Sequence, residues 1–185
     1  MRPRDRIVDP RGRRLLDVLP GWAAWRTCLY IGANTDRFQL YGMIEHMDVT
    51  VLEVWPDYAR ELRADPKHKV ARVIVGDVRE LDATGVSDFA PFDVVIWWHG
   101  PEHVGRVEAE DILWPGRRGV LEPYWEHALV VGCPWGRHDQ GAVDGNPHQE
   151  HKWAPEPWFF KRLGFQTQTY GRKDHKGRIT AWRTR

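Results

Sequence analysis

Apolar residues in this chain fall into short runs that are separated by turn residues. The run at 92–98, FDVVIWW, is apolar almost throughout, which is typical of a strand covered on both faces. Gly, Pro, Asp and Asn punctuate the chain between the runs. The five runs predicted as strands cover residues 27–31, 49–54, 70–75, 92–98 and 127–133.

Helical periodicity occupies the stretches between these runs. Pro56 suits the first turn of a helix, and Tyr58 and Leu62 lie on the face expected to pack inward. The other predicted helices cover residues 38–47, 104–112, 120–126 and 155–163, with a helix or broken helix over 12–25. Residues 134–153 form the longest predicted loop, and a loop of this length inside a domain is usually functional.

The C-terminal part of the chain changes to a different pattern. Residues 165–170 and 177–183 alternate apolar and polar positions, which predicts two antiparallel strands joined by the turn RKDHKG. Strands that alternate with helices favour a parallel, doubly wound sheet. We therefore expect one α/β domain over residues 1–185, with residues 1–26 as a basic segment and helix leading into the sheet.

The composition narrows the class of protein. The 185 residues are 42% hydrophobic and 29% charged, which fits one globular domain. No apolar run reaches the ~18 residues of a transmembrane helix, so no membrane partner is expected. Cys28 and Cys133 lie in apolar runs, as buried reduced thiols of a cytoplasmic protein do. The net charge of +1 does not by itself favour binding to a polyanion. Basic residues are nevertheless concentrated at both ends of the chain. They form either solvated tails or a basic rim that binds a phosphate-bearing substrate or nucleic acid.

Candidate binding residues follow the predicted strands. Gly32 begins a tight turn after the first strand, and Glu53 stands 21 residues later, near the end of the second strand. A carboxylate there can accept hydrogen bonds from both hydroxyls of a ribose. Asp77 follows the third strand, and Trp98 ends the fourth. This arrangement predicts a site for a ribose-containing cofactor at the carboxyl edge of the sheet.

These motifs, in this order, resemble those of the class I S-adenosylmethionine-dependent methyltransferases, from about residue 12 to the end of the chain. The resemblance implies a seven-stranded sheet with an antiparallel last hairpin, and S-adenosylmethionine as cofactor. It also implies that Val54 and Trp55 flank the adenine and that Asp77 accepts from its amino group. The chain differs from the family in having a single glycine in the first loop and Tyr30 where an acid is usual. The cofactor contacts implied by the resemblance are Gly32, Ala33, Asn34, Thr35, Glu53, Val54, Trp55, Asp77, Val78 and Trp98.

Histidines and one glutamate form a second candidate group. His99, Glu102 and His103 follow the fourth strand, and His148 and His151 lie in the loop at 134–153. We interpret His99, Glu102 and His103 as catalytic residues, with His99 or His103 as a general base. The alternative is a divalent-metal site made from all five residues, as the resemblance to metal-assisted methyltransferases implies. A third interpretation is that the histidines only cap loops.

We therefore expect an S-adenosylmethionine-dependent enzyme that methylates an oxygen or nitrogen of a small molecule. Methylation of the ribose 2′-oxygen of RNA is an alternative, and so is a non-catalytic cofactor-binding protein. Gly100-Pro101-Glu102 stands where enzymes that methylate DNA amino groups carry an Asn/Asp-Pro-Pro-aromatic motif, which argues against that activity. A monomer or a homodimer fits the sequence, and the sequence does not identify the acceptor.

Overall fold

A seven-stranded sheet forms the centre of the fold in the computed structural model, which describes residues 19, 21–34, 46–64, 70–116 and 118–185. The strands lie in the order β3-β2-β1-β4-β5-β7-β6. The first five are parallel, and β7 runs antiparallel to both β5 and β6. The expected doubly wound sheet with an antiparallel C-terminal hairpin is confirmed. The strands are β1 (Thr27–Ile31), β2 (Asp48–Glu53), β3 (Arg72–Val75), β4 (Phe92–Trp98), β5 (Trp125–Pro134), β6 (Gln166–Arg172) and β7 (His175–Thr184).

Three α-helices cover the sheet among the described residues: α1 (Pro56–Ala64), α2 (Arg106–Leu113) and α3 (Pro157–Arg162). Helix α1 begins at Pro56, and Tyr58 and Leu62 are buried beneath it, as predicted. The helix predicted over 38–47 lies outside the described residues except for its end, and most of the segment 12–25 does too. The described part of that segment contains one short 3₁₀ turn at Trp22–Ala24.

The other 3₁₀ segments are short. They cover Val78–Thr84, Val86–Phe89, Pro101–His103, Glu122–Tyr124 and Pro147–Gln149. The helical stretch predicted over 120–126 is therefore only the 3₁₀ turn at Glu122–Tyr124, because β5 already begins at Trp125.

Two other predicted boundaries are wrong. Val104 is extended and precedes α2, because the side chain of Glu108 accepts the N–H of Gly105 and so fixes the start of the helix there. The predicted turn RKDHKG is too long. Asp174 and Lys176 both adopt positive φ, so the chain reverses at the short turn after Arg172 and β7 begins at His175.

The sheet has a hydrophobic core on each face. One core contains Leu29, Val95 and Leu129 and packs against α2 and α3. The other contains Tyr30, Ile96 and Val130 and includes Leu62 of α1. Alternate residues of one strand therefore enter opposite cores, which explains why 92–98 is apolar at nearly every position.

Two further expectations concern cysteines and membranes. Cys28 and Cys133 are buried free thiols, and burial raises the pKa of both well above its ordinary value. Among the described residues, no helix has the length and apolar character needed to cross a membrane.

The strand registers bring the candidate site residues to one edge. Ile31 lies opposite Leu52 on one side and Trp97 on the other, and Trp97 lies opposite Val131. The segments that follow β1, β2, β4 and β5 therefore leave the sheet side by side at its carboxyl edge.

Candidate functional site

Two adjoining cavities open at the carboxyl edge of the sheet. The smaller one lies over the ends of β1, β2 and β3 and is lined by Glu53, Asp77 and Trp97, among others. The larger one, about 560 Å³, lies over β1, β4, β5 and β7. Four residues line both cavities: Gly32, His99, His103 and Gln149. A ligand in the first cavity therefore lies next to a ligand in the second.

Glu53 is the central acid of the smaller cavity. Its Oε2 accepts the backbone N–H of Asn34 at 2.8 Å, and its Oε1 accepts that of Trp55 at 3.0 Å. The residue is 3% exposed, and burial raises the pKa of its carboxyl, although the two backbone hydrogen bonds oppose the rise. A carboxylate offers about four acceptor sites, so each oxygen retains capacity for a ligand hydroxyl.

Asp77 is held by a neighbouring arginine. Its Oδ1 accepts the backbone N–H of Arg79 at 2.9 Å, and the Arg79 guanidinium donates to both carboxylate oxygens, the shortest contact being 2.6 Å. Arg79 also donates to Glu108 at 2.9 Å. Burial alone would raise the pKa of Asp77, but the hydrogen bonds from Arg79 outweigh it and lower the pKa. A ligand amino group that donates to Asp77 would share its carboxylate with Arg79.

His99, Glu102 and His103 form a hydrogen-bonded turn after β4. His99 adopts a φ of +51° while its backbone N–H donates to Gly132 at 2.7 Å, and its Nδ1 lies 3.2 Å from Glu102 Oε1. Glu102 is completely buried. Burial would raise the pKa of Glu102, but the hydrogen bond and charge of His99, with the charge of His103, hold it below its ordinary value.

The loop at 134–153 is fastened over this turn by backbone hydrogen bonds. Lys152 N–H donates to the Glu102 carbonyl at 2.7 Å, which joins the loop to the turn. Within the loop, His151 N–H donates to the Gln140 carbonyl at 3.0 Å. The Trp153 indole N–H donates to the Pro101 carbonyl at 2.7 Å. These contacts bring His151 beside His103, with ring centroids 4.9 Å apart.

Glu102, His103 and His151 converge on one point. Each has a ligand atom within 4.8 Å of those of the other two. The Nδ1 atoms of His103 and His151 lie against the backbone carbonyls of Glu150 and His138. Because a carbonyl only accepts, each Nδ1 carries the proton, and each Nε2 has a free lone pair when its ring is neutral. Burial lowers the pKa of His103, although the charge of Glu102 opposes the shift, and this favours the neutral ring. Within the described parts of the chain, Glu102 Oε2 has no hydrogen-bond partner.

Most of the predicted cofactor residues line one cavity or the other. Thr35 lies outside the described residues. Trp55 lines neither cavity. Its ring lies 6.1 Å from that of His148. Gly32, Glu53, Val54, Asp77 and Val78 line the smaller cavity, and Gly32, Ala33, Asn34 and Trp98 line the larger one.

The five residues of the predicted metal alternative separate into two places. Glu102, His103 and His151 come together. The Nδ1 of His99 lies 3.2 Å from Oε1 of Glu102, which leaves Oε2 for the other two residues. His148 instead lines the smaller cavity near Trp55, because Asn146 fixes its backbone N–H at 2.9 Å.

Several residues that line the cavities were not predicted from the sequence. Trp97 lines the smaller cavity, and its neighbour Trp98 the larger, because consecutive strand residues face opposite sides of the sheet. The same alternation at the end of the fourth strand predicts that Trp97 faces the other side of the sheet from Trp98 and lines the smaller cavity. His138 and Arg178 also line the larger cavity, and no local pattern marks either of them.

Comparisons with known proteins identify the fold. No protein-family model matches the chain, and no curated protein matches it. Among solved structures, the N-terminal domain of EvdMO1 with SAH bound matches with a TM-score of 0.64 at 17% identity, over 99% of this chain and 81% of that one. At such identities the likeness is one of fold.

Two further matches are methyltransferases by name. The mitomycin 7-O-methyltransferase MmcR matches with a TM-score of 0.56 at 15% identity, over 91% of this chain and 51% of that one, so this chain spans about half the length of MmcR. The N-methyltransferase NodS from Bradyrhizobium japonicum WM9 matches with a TM-score of 0.58 at 14% identity, over 92% of this chain and 91% of that one.

Proposed function

We propose that this chain, whose fold is that of the class I S-adenosylmethionine-dependent methyltransferases, is itself a methyltransferase that uses S-adenosylmethionine. The observation that carries the proposal is Glu53, a buried carboxylate that keeps acceptor capacity at the carboxyl end of β2. A buried carboxylate with unused acceptor capacity gains further hydrogen bonds from ligand hydroxyls that donate to it. The two hydroxyls of a ribose fit its two oxygens.

Gly32 fits the same cofactor. It has a φ of +69°, which favours glycine, and a Cβ added there would meet no atom within 4 Å. That open space belongs to both cavities, because Gly32 lines each of them. The backbone there can approach a ligand that extends from one cavity into the other.

The cofactor supplies a methyl group that is activated on a sulfonium. The residues of the chain align the acceptor and accept its proton. The acceptor site is the larger cavity, which suits an oxygen or nitrogen of a small molecule. His103 lies where the cavities meet, and its neutral ring with a free Nε2 suits the role of general base, while His99 and Glu102 orient the turn that carries it.

A calorimetric titration with S-adenosylmethionine tests the cofactor proposal. We expect the wild-type protein to bind it and Gly32→Ala to bind about tenfold or more weakly, because the new methyl group enters the ligand space. Gly21→Ala is the matched control, since Gly21 also has positive φ and open space but lies outside both cavities. Absence of binding by the wild type would refute the proposal, and equal effects of the two variants would remove Gly32 from the site.

As the alternative to a general-base role for His103, we propose that Glu102, His103 and His151 bind a divalent transition-metal ion, which would occupy the Nε2 lone pair of His103. The specific observation is their convergence around a buried carboxylate oxygen that lacks a partner among the described residues. One carboxylate oxygen with two imidazole nitrogens suits zinc, iron, cobalt or manganese better than magnesium. Carbonyl groups already orient both rings through Nδ1, as they do behind many metal-binding histidines. Such an ion would act as a Lewis acid on the acceptor.

Thermal unfolding after chelation tests the metal proposal without an activity assay. Adding zinc, cobalt or manganese at 100 times the dissociation constant should stabilise the wild type by about 2.7 kcal/mol. His151→Asn should abolish this gain, whereas His148→Asn, in the same loop but at the other cavity, should keep it. An unchanged unfolding temperature of the wild type with every ion would contradict the proposal.

A further inference from the structure

The wall of the larger cavity formed by β7 carries an arginine that has no ion-pair partner among the described residues. Arg178 lies opposite Pro134 of β5 and Tyr170 of β6, and it lines the cavity. Its Nη1 donates to the Gly177 carbonyl at 3.0 Å. Its Nε is shielded from solvent and, in the part of the chain that the structure describes, has no hydrogen-bond partner.

Two acids that line the same cavity, Asp139 and Asp174, are hydrogen-bonded to Arg137. Asp139 pairs with the guanidinium of Arg137 at 2.8 Å, and Asp174 accepts the backbone N–H of Arg137 at 2.5 Å. Within the described ranges, no carboxylate forms an ion pair with Arg178. The guanidinium thus faces the cavity without a counter-ion from these residues.

A second shielded nitrogen lies on the same wall. The Nε2 of His138 is also out of contact with solvent and lacks a partner among the described residues. His138 and Arg178 both line this cavity. Two polar groups that are removed from water and left unpaired are costly, and a ligand that satisfies them recovers that cost.

The chemistry of this wall selects an anion. A guanidinium fork matches the two oxygens of a carboxylate or phosphate and binds them more strongly than it binds a neutral acceptor. Tyr30 and Trp98 give the same cavity an apolar side. We propose that the methyl acceptor is a small molecule with a carboxylate or phosphate group, which Arg178 binds.

This inference rests on the proposed function and specifies its acceptor. Arg178 lies on the β7 side of the cavity, and Gly32 and His103 lie where the cavity meets the smaller one. The anionic group of the acceptor is therefore anchored at one end, and the atom to be methylated points toward the other. Recognition and methyl transfer thus involve different parts of the acceptor.

A matched set of probes tests the anchor. Benzoate and inorganic phosphate supply the two anions, and benzamide is the neutral analogue of benzoate. Binding is measured by NMR chemical-shift titration at constant ionic strength, with a chelator present and with S-adenosylhomocysteine bound. We expect the wild type to bind the anions and not benzamide, and Arg178→Gln to bind benzoate and phosphate about tenfold or more weakly.

Arg172→Gln is the control, because Arg172 is exposed on the same hairpin, lies outside the cavity and loses the same charge. Equal weakening by the two substitutions would mean that only the net charge matters and would overturn the inference. So would binding of benzamide as tight as that of benzoate, or no anion binding by the wild type. Binding of S-adenosylhomocysteine is recorded separately in each variant, so a failure of the cofactor proposal is distinguished from a failure of the acceptor proposal.

Discussion

The substitution Glu53→Gln tests the cofactor site most directly, because it keeps the shape of the side chain and removes the charge. In the wild type, both carboxylate oxygens accept a backbone N–H, from Asn34 at 2.8 Å and from Trp55 at 3.0 Å. In the variant one of those oxygens becomes an NH₂ group. That group cannot accept, so it faces a backbone N–H without bonding to it, and one of the two ribose hydroxyls loses the oxygen to which it donates.

The size of the effect follows from the hydrogen bonds. A hydrogen bond to a charged group contributes about 1.5–3 kcal/mol, and one between neutral groups about 0.5–1.5 kcal/mol. Weakening one ribose bond and losing the other therefore costs about 2–4 kcal/mol of binding free energy. That corresponds to a dissociation constant for S-adenosylmethionine raised about 30- to 900-fold. Stability should change less, because relief of the buried charge offsets the lost backbone bond, and about 1 kcal/mol would shift the unfolding temperature by about 2–4 °C.

Calorimetry with S-adenosylmethionine and S-adenosylhomocysteine measures the affinity, and thermal unfolding shows that the variant is folded. Glu61→Gln is the matched control, because Glu61 lies on the exposed side of α1 and lines neither cavity. It should bind both ligands like the wild type. A folded Glu53→Gln protein with wild-type affinity for both ligands would show that Glu53 does not hold the ribose.

Three further outcomes are expected. Because burial raises the pKa of Glu53, affinity for S-adenosylmethionine should fall as the pH is lowered through that raised pKa, whereas the contribution of Glu53 to folding stability should rise over the same range and be lost as the pH increases. Calorimetric titration across pH checks the affinity, thermal unfolding across pH checks the stability, and Glu53→Gln should show neither dependence. Gly132→Ala should destabilise the protein by about 1–3 kcal/mol in urea unfolding, because its Cβ would lie 2.5 Å from the Trp98 ring, while Gly141→Ala, with open space, should not. Asp93→Asn should cost about 1–3 kcal/mol in the same assay, because Asp93 accepts two backbone N–H groups at 2.6 and 2.8 Å that join β1 to the start of β4.

Local patterns in the sequence were sufficient to predict the sheet. Strand β4 has the predicted bounds, since a run in which six of seven residues are apolar suits a strand that enters a core on each face. Glu53 and Asp77 were predicted from their positions at strand ends, and parallel strands bring those ends to one edge whatever the loops do. The hairpin was less well predicted, because its strands extend through the polar residues around Arg172 and His175.

The different positions of the two loop histidines could not be predicted from local patterns. His148 and His151 are three residues apart, yet they line different cavities. Asn146 fixes the backbone at His148, whereas the Gln140 carbonyl fixes that at His151 and the Glu102 carbonyl fixes the next residue. The contact of Asn146 with His148 is local, but Gln140 and Glu102 are distant in sequence from the residues they hold, so no local pattern encodes the position of His151.

The sequence by itself determined the α/β class of the sheet and the acids Glu53 and Asp77 near its strand ends, because apolar periodicity and the alternation of strands and helices along the chain can be read locally. Tertiary structure alone decided which side chains meet above that edge. Glu102 and His151 meet because the loop at 134–153 is hydrogen-bonded over the turn after β4. Arg178 enters the larger cavity because β7 pairs with β5 rather than continuing the parallel order. Both contacts depend on pairing between distant segments, which the folded backbone establishes and the periodicity of the sequence does not.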